Sequence, residues 1–263
     1  MNLSPATSRS NDPAPSAKMR RPYKVADAIK TWIVEQGLKP GDKLPHEQTL
    51  MELFGMSKGT IRETMRVLEA QGLIVTRTGP KGGAFINAVS EAMASSLLSN
   101  YFFFNELSVK DIYQLRCLLE PELVASLAGR LSEEDLARLE ANIQKYAQPA
   151  LNAEDERAQH IDSLQFHIIL AELAGNELLG FIIRFMARML TDLTVNRHLY
   201  EPHNHELWEQ GFNHQKDLIL ALKEGRSGDA RNIMREHMEV AQKLMEAQEV
   251  EMTRRFMLHA PQQ

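Results

Sequence analysis

The chain has 263 residues with a net charge of −5, 43% hydrophobic and 25% charged residues, and a single cysteine, Cys117. This composition indicates a globular chain of about two domains. It excludes an internal disulfide, and the absence of a long apolar run or apolar N-terminal core excludes an ordinary transmembrane helix and a secretory signal. We therefore expect a cytoplasmic protein with no membrane partner.

Charge is distributed unevenly along the chain. Residues 1–88 carry 13 Lys and Arg against 8 Asp and Glu, whereas the remainder carries 17 against 27. A basic front part joined to an acidic rear part is typical of a nucleic-acid-binding module fused to a domain with another task.

The front part predicts a small DNA-binding domain. Residues 1–19 are rich in Ser, Pro and Ala and are predicted to be a disordered tail. Residues 20–88 predict three helices, the third beginning at Ser57 and stopped by Gly72, and then two β-prone runs, LIVTR and GAFIN, around TGPKG. This order is that of a winged helix-turn-helix; the alternative is a small α+β domain with no nucleic-acid role.

The second and third helices of this domain form the helix-turn-helix motif, and the second helix of such a motif lies in the major groove. The third helix of the domain, Ser57 to Gln71, is therefore the expected recognition helix. Arg62 is the candidate for base readout, since a guanidinium can pair bidentately with guanine. The hairpin tip suits a minor-groove or backbone contact. The predicted DNA contacts are Ser57, Lys58, Gly59, Thr60, Arg62, Arg66, Arg77, Lys81 and Gly82.

The stretch from Leu38 to Ile86 resembles the N-terminal winged-helix domain of the GntR family of bacterial transcription regulators. The resemblance implies binding to double-stranded operator DNA. Where the family usually has two arginines, this chain has Gln48 and Lys58. Gln48 therefore joins the expected DNA contacts, and the preferred operator can differ from the family's usual half-site.

The rear part predicts an all-α bundle, so that the fold class is mainly α. Residues 89–250 are predicted to form six or seven helices, in a domain that binds metal and effector and forms the dimer. Residues 251–263 are predicted to be a tail. His214 and His237 lie at similar distances on either side of the turn GRSG, so they can meet in an antiparallel helix pair. His167 lies on the apolar face of an earlier helix. Three convergent histidines suit a divalent metal, with zinc as first choice and nickel or manganese as alternatives.

This part resembles the FCD ligand-binding domain of the FadR subfamily. The resemblance implies that His167, His214 and His237 are metal ligands and that a small carboxylate binds beside the metal. The family's aspartate ligand falls at Ser163 here. Asp162 can replace it only if the helix bulges by one residue; otherwise the site has three histidines plus water or effector.

Two further residues are candidates for the effector. Arg116 can pair with an effector carboxylate or, equally, with Glu120 one helical turn away. Asn176 belongs to the Gly175-Asn176 pair, which is one of the features by which this part resembles the FCD domain. The function expected is a homodimeric, effector-controlled repressor and not an enzyme. The alternatives are a metal-dependent hydrolase and an acyl-CoA-responsive regulator.

Overall fold

The computed structural model describes residues 21–103, 105, 107–201 and 204–259, so the predicted tail at 1–19 lies outside the described residues. The elements within these ranges are α1 (Arg21–Glu35), α2 (Glu47–Phe54), α3 (Lys58–Ala70), β1 (Ile74–Arg77), β2 (Gly83–Ile86), α4 (Glu91–Phe103), α5 (Val109–Leu127), α6 (Glu133–Gln144), α7 (Ala153–Glu172), α8 (Glu177–Asn196), α9 (His205–Lys223) and α10 (Ser227–His259). The predicted fold class, mainly α with one hairpin, is confirmed.

The chain forms two compact units, which divide between Ala94 and Ser95, inside α4. The boundary expected at residue 88 falls just before α4, and the one expected at 250 falls inside α10. Within the described ranges, no helix is both long and apolar enough to cross a membrane.

The first unit is a winged helix-turn-helix. Its core joins the three helices to the hairpin through fully buried side chains, among them Ile29, Leu50, Ile61 and Leu68. The Ser57 hydroxyl caps α3 by accepting a hydrogen bond from the backbone N–H of Thr60. β1 and β2 pair antiparallel from Ile74 opposite Ile86 to Arg77 opposite Gly83.

The second unit is a helical bundle in which α5 packs on α10, α10 on α9 and α7 on α8. The two capping boxes that the sequence predicts are present at Ser108 and Ser132. The α9–α10 turn lies against the end of α5: a Cβ on Gly129 would come within 3.2 Å of the Gly225 Cα. Both glycines also have positive φ, so this close approach depends on them.

Candidate DNA-binding surface and ligand cavity

The predicted recognition helix has one buried and one exposed face. Ile61, Thr64 and Leu68 are fully buried against the first unit's core. Arg62 and Arg66 lie on the opposite, exposed face. The same face begins with the exposed Lys58 and Gly59 and the partly exposed Thr60.

Arg62 is held by a residue of the neighbouring helix. Its Nε donates to a carboxylate oxygen of Glu47 at 3.1 Å, and both side chains are about half exposed. Because this contact uses Nε, the two terminal nitrogens are not engaged by it and suit bidentate pairing with guanine. Gln48, next to Glu47, donates to Glu52 on its own helix.

The hairpin tip carries positive charge on a backbone that requires glycine. A Cβ on Gly82 would lie 2.5 Å from the Arg77 carbonyl oxygen and 2.8 Å from that of Gly79. The Arg77 guanidinium stacks on the Phe85 ring, 4.7 Å from its centroid. Lys81 is exposed at the tip. The tip therefore presents positive side chains close to its own peptide backbone.

The second unit contains a small cavity between α5, α7, α9 and α10. About 50 Å³ is open to the centres of water-sized molecules. Aromatic side chains form part of the wall, and Arg116, His160, Ser163, His167, Gln215 and His237 line it with polar atoms. It therefore combines apolar walls with a few convergent polar groups, as small-molecule sites do.

Arg116 is the cation of this cavity. Only 1% of its surface is exposed, and its Nε donates to Glu120 at 2.5 Å. Its guanidinium stacks over the Tyr113 ring at 5.0 Å. Within the described part of the chain, its Nη2 is buried with no hydrogen-bond partner. The internal salt bridge and a remaining donor for a ligand are therefore both present.

Glu120 joins Arg116 to the histidines. Its second carboxylate oxygen lies 2.5 Å from His167 Nδ1. Burial opposes ionisation of Glu120, but the charge of Arg116 and the contact with His167 outweigh it and lower its pKa to about 2. Burial lowers the pKa of His167, although Glu120 counteracts part of this effect. Glu120 is therefore an anion and His167 is neutral at pH 7.

The three predicted histidines lie together. His167 Nε2 is 3.3 Å from His237 Nε2, and the two rings are parallel with centroids 5.2 Å apart. The His214 ring lies 5.6 Å from that of His237, and its Nδ1 is buried without a partner among the described residues. The pKa of His237 is well below its usual value. Burial is the main cause, and the electrostatic effects of His167 and His214 add to it.

The three histidines offer nitrogen donors that suit a divalent cation, and the spacing of His167 and His237 suits one as well. With metal–nitrogen bonds of about 2.0–2.1 Å, tetrahedral geometry separates two ligand nitrogens by about 3.4 Å, close to the distance between His167 and His237. Among the described residues, no three His, Cys, Asp or Glu side chains are already grouped to hold a metal. The third ligand would need His214 to reorient.

Two sequence-predicted residues lie outside the cavity. Asp162 pairs with Lys145 at 2.9 Å and lines a separate groove with Arg138 and Glu172. α7 is regular α-helix throughout, without the bulge that would turn Asp162 inward. Asn176 is exposed and caps α8 by accepting from the Leu179 N–H at 3.1 Å. Neither side chain is placed to act on a ligand there.

The sequence did not indicate three polar residues around the cluster, nor the full role of a fourth. Tyr146 donates to Gln215 at 2.6 Å, and the Gln215 amide lies 3.4 Å from His167 Nε2. Burial, and then Arg116, lower the pKa of His160 to about 4. Glu120 was considered only as a partner of Arg116. The polar positions beside His214 and His167 were the available signal, but spacing alone does not distinguish a core polar residue from a cavity residue.

Comparison with known proteins agrees with this division. The family described as "Bacterial regulatory proteins, gntR family" matches residues 23–86, and the FCD domain matches residues 111–240. LutR of Bacillus subtilis, an HTH-type transcriptional regulator, is 30% identical over 155 residues, which cover 59% of this chain and 68% of that protein. The Uxu operon regulator of Haemophilus influenzae is 26% identical over 226 residues, 83% of this chain and 80% of its own.

One solved structure has the same fold across most of the chain. The GntR protein of Streptococcus agalactiae aligns with a TM-score of 0.57 at 23% identity, covering 84% of this chain and 99% of its own. The named relatives are transcription regulators. The expectation that the chain is not an enzyme is confirmed, and the hydrolase alternative is set aside.

Proposed function

This chain belongs to the GntR family of DNA-binding transcription regulators and carries an FCD domain, and we propose that a small carboxylate bound in its helical unit controls operator binding. The observation that carries the proposal is the Nη2 group of Arg116, which is buried at the wall of the cavity without a partner. A carboxylate there would satisfy this donor through a charge-assisted hydrogen bond.

The size of the cavity favours a small ligand over an acyl-CoA. About 50 Å³ for the centres of water-sized molecules corresponds to roughly three to five waters, at about 10–15 Å³ each. A short carboxylate matches this space, whereas a long acyl chain would require the helices to separate. No specific observation favours the acyl-CoA alternative.

His167, His214 and His237 would hold a divalent metal beside this carboxylate, with zinc as first choice. Imidazole nitrogens suit zinc and nickel. When bound, the cation would supply positive charge and an open coordination position for a carboxylate oxygen. Asp162 is not part of this proposal, since it pairs with Lys145. Ser163, which lines the cavity, occupies the position where the family has its aspartate.

The DNA-binding proposal uses the exposed face of α3 and the hairpin tip. Arg62 would read a base, while Lys58, Arg66, Arg77 and Lys81 would contact phosphates or the minor groove. Such readers act as dimers on two half-sites about one helical turn apart. We therefore propose a homodimeric repressor that works where bacterial DNA lies, in the cytoplasm.

The test combines metal analysis, ligand screening and DNA footprinting on the full-length protein. We expect the purified protein to take up zinc, a panel of small carboxylates to raise its melting temperature, and one of them to change the footprint. His237→Ala should abolish zinc uptake and the thermal shift but preserve DNA binding, whereas His198→Ala, at an exposed position outside the cavity, should behave like the wild type. A protein that takes up no metal and binds its carboxylate equally well after chelation would contradict the metal proposal.

A further inference from the structure

We propose that Glu120 is the positioning residue of the histidine cluster: one carboxylate oxygen selects the His167 tautomer with a bare Nε2, and the other holds Arg116 at the cavity wall. The inference rests on the proposed function, because a bare Nε2 matters for ligating a divalent cation. It assigns a role to a glutamate that is 1% exposed and lies on a different helix from His167.

Donor and acceptor chemistry places the imidazole proton on His167 Nδ1. An ionised carboxylate can only accept hydrogen bonds. His167 Nδ1 lies 2.5 Å from Glu120 Oε2, so Nδ1 must carry the proton of this contact. A neutral imidazole has one N–H, and Nε2 of His167 is therefore left with a lone pair.

An independent contact leads to the same tautomer from the other side of the ring. The Tyr146 hydroxyl donates to Gln215 Oε1 at 2.6 Å. That contact directs the Gln215 Nε2 group, a donor, to the Ser163 carbonyl oxygen at 3.3 Å and to His167 Nε2 at 3.4 Å. A donor facing Nε2 requires an acceptor there, and only the Nδ1–H tautomer provides one.

The geometry also explains why a buried glutamate is needed at this position. A ligating histidine usually donates its other N–H to a carboxylate or carbonyl, which fixes the ring and makes the ligating nitrogen more basic. Glu120 occupies that place for His167, and the bare Nε2 faces His237 at 3.3 Å. The same carboxylate accepts a hydrogen bond from Arg116 Nε. Arg116 and His167 therefore share one anion.

The tautomer can be measured directly in the metal-free full-length protein. Long-range proton–nitrogen NMR of histidine-labelled protein distinguishes the two imidazole nitrogens, and a His167→Gln variant assigns the signals. We expect His167 to be the Nδ1–H form. Finding the proton on Nε2 would overturn the proposal, whether or not the protein binds metal.

The second experiment measures zinc affinity by calorimetry in matched variants. Glu120→Gln removes the anion but keeps a hydrogen-bond acceptor, and we expect a 10- to 100-fold weaker affinity. Glu122→Gln is the control, because Glu122 lies on the same helix but pairs with Arg231 at the surface. It should leave zinc affinity unchanged.

The outcomes separate the two proposals. Equal zinc affinity in wild type and a folded Glu120→Gln would overturn the role of Glu120 and leave the metal proposal intact. A wild type that binds no zinc would instead overturn the metal proposal, and the tautomer measurement would still decide what Glu120 does. Should Glu120→Gln not fold, the tautomer in the wild type remains the deciding measurement.

Discussion

At the scale of single residues, Arg62 is the side chain on which operator specificity should depend. It lies on the exposed face of α3, anchored through Nε to Glu47. We expect Arg62→Ala to cost about 1–3 kcal/mol of operator binding and to relax base preference at one position in each half-site, because a bidentate guanine contact is lost. A binding assay with an operator library measures both effects.

Lys81→Ala is the matched comparison for this prediction. Lys81 lies at the exposed hairpin tip, where it would meet the DNA backbone. Its removal should weaken binding to all sequences by a similar factor and reduce the salt dependence, because fewer counterions are released. Unchanged affinity and preference in Arg62→Ala would show that another face of α3 meets the bases.

The buried pair of Arg116 and Glu120 should dominate the stability of the second unit. Both side chains are 1% exposed. We expect Arg116→Met to lower the free energy of unfolding by about 3–5 kcal/mol, since it leaves the Glu120 carboxylate buried without its cation. Arg231→Met removes the exposed pair with Glu122 and should have little effect. Urea denaturation compares them, and similar losses in both variants would contradict the assignment.

At the scale of elements, substitutions at two glycines should distinguish effects on the stability of the first unit from effects on its DNA contacts. A Cβ at Gly59 meets nothing within 4 Å, whereas one at Gly82 would collide with two carbonyl oxygens. Gly59→Ala should stabilise α3 by up to about 1 kcal/mol, because alanine loses less backbone entropy. It should nevertheless weaken operator binding, since the methyl group would stand between the helix start and the duplex.

Gly82→Ala should have the opposite effect on stability. The added methyl group must displace the hairpin tip, so we expect lower stability of the first unit together with weaker DNA binding. Melting curves and binding isotherms of the two variants form the measurement. If Gly59→Ala bound the operator as tightly as the wild type, the start of α3 would not approach the DNA closely.

At the scale of the whole molecule, acid should destabilise the protein through histidines whose pKa is lowered in the fold. The pKa of His160 is lowered to about 4 by burial and then by Arg116. The unfolded state, with a histidine pKa near 6.5, therefore binds more protons than the fold between about pH 6.5 and 4. We expect the free energy of unfolding to fall over this window as the pH is lowered, by up to about 1.4 kcal/mol per pH unit for each such histidine.

Glu120 adds a second, lower window. Its pKa is about 2 in the fold against about 4.3 when unfolded, so its contribution is present above about pH 4.3 and is lost as the pH falls towards 2. Denaturant titrations from pH 8 to 2 in the presence of chelator would resolve both windows. His160→Gln should flatten the upper one; a curve flat from pH 7 to 4 would refute the prediction.

Local patterns were sufficient to predict most of the architecture. Ser57, Ser108 and Ser132 mark helix starts because a hydroxyl cap acts within three residues of the chain. The spacing of His214 and His237 around the turn predicted their approach, since antiparallel helices place equidistant residues at one height. The family membership likewise follows from an ordered stretch of sequence.

The cavity chemistry was decided only by the tertiary structure. Asp162 and Ser163 are neighbours in sequence, but the helix directs one to Lys145 in an outer groove and the other to the cavity. Glu120 reads from sequence as a partner of Arg116, and only the packing of α5 against α7 adds His167 to the same carboxylate. A helix determines which residues share its face, but the donors and acceptors that a buried side chain meets are supplied by other helices, distant in the chain.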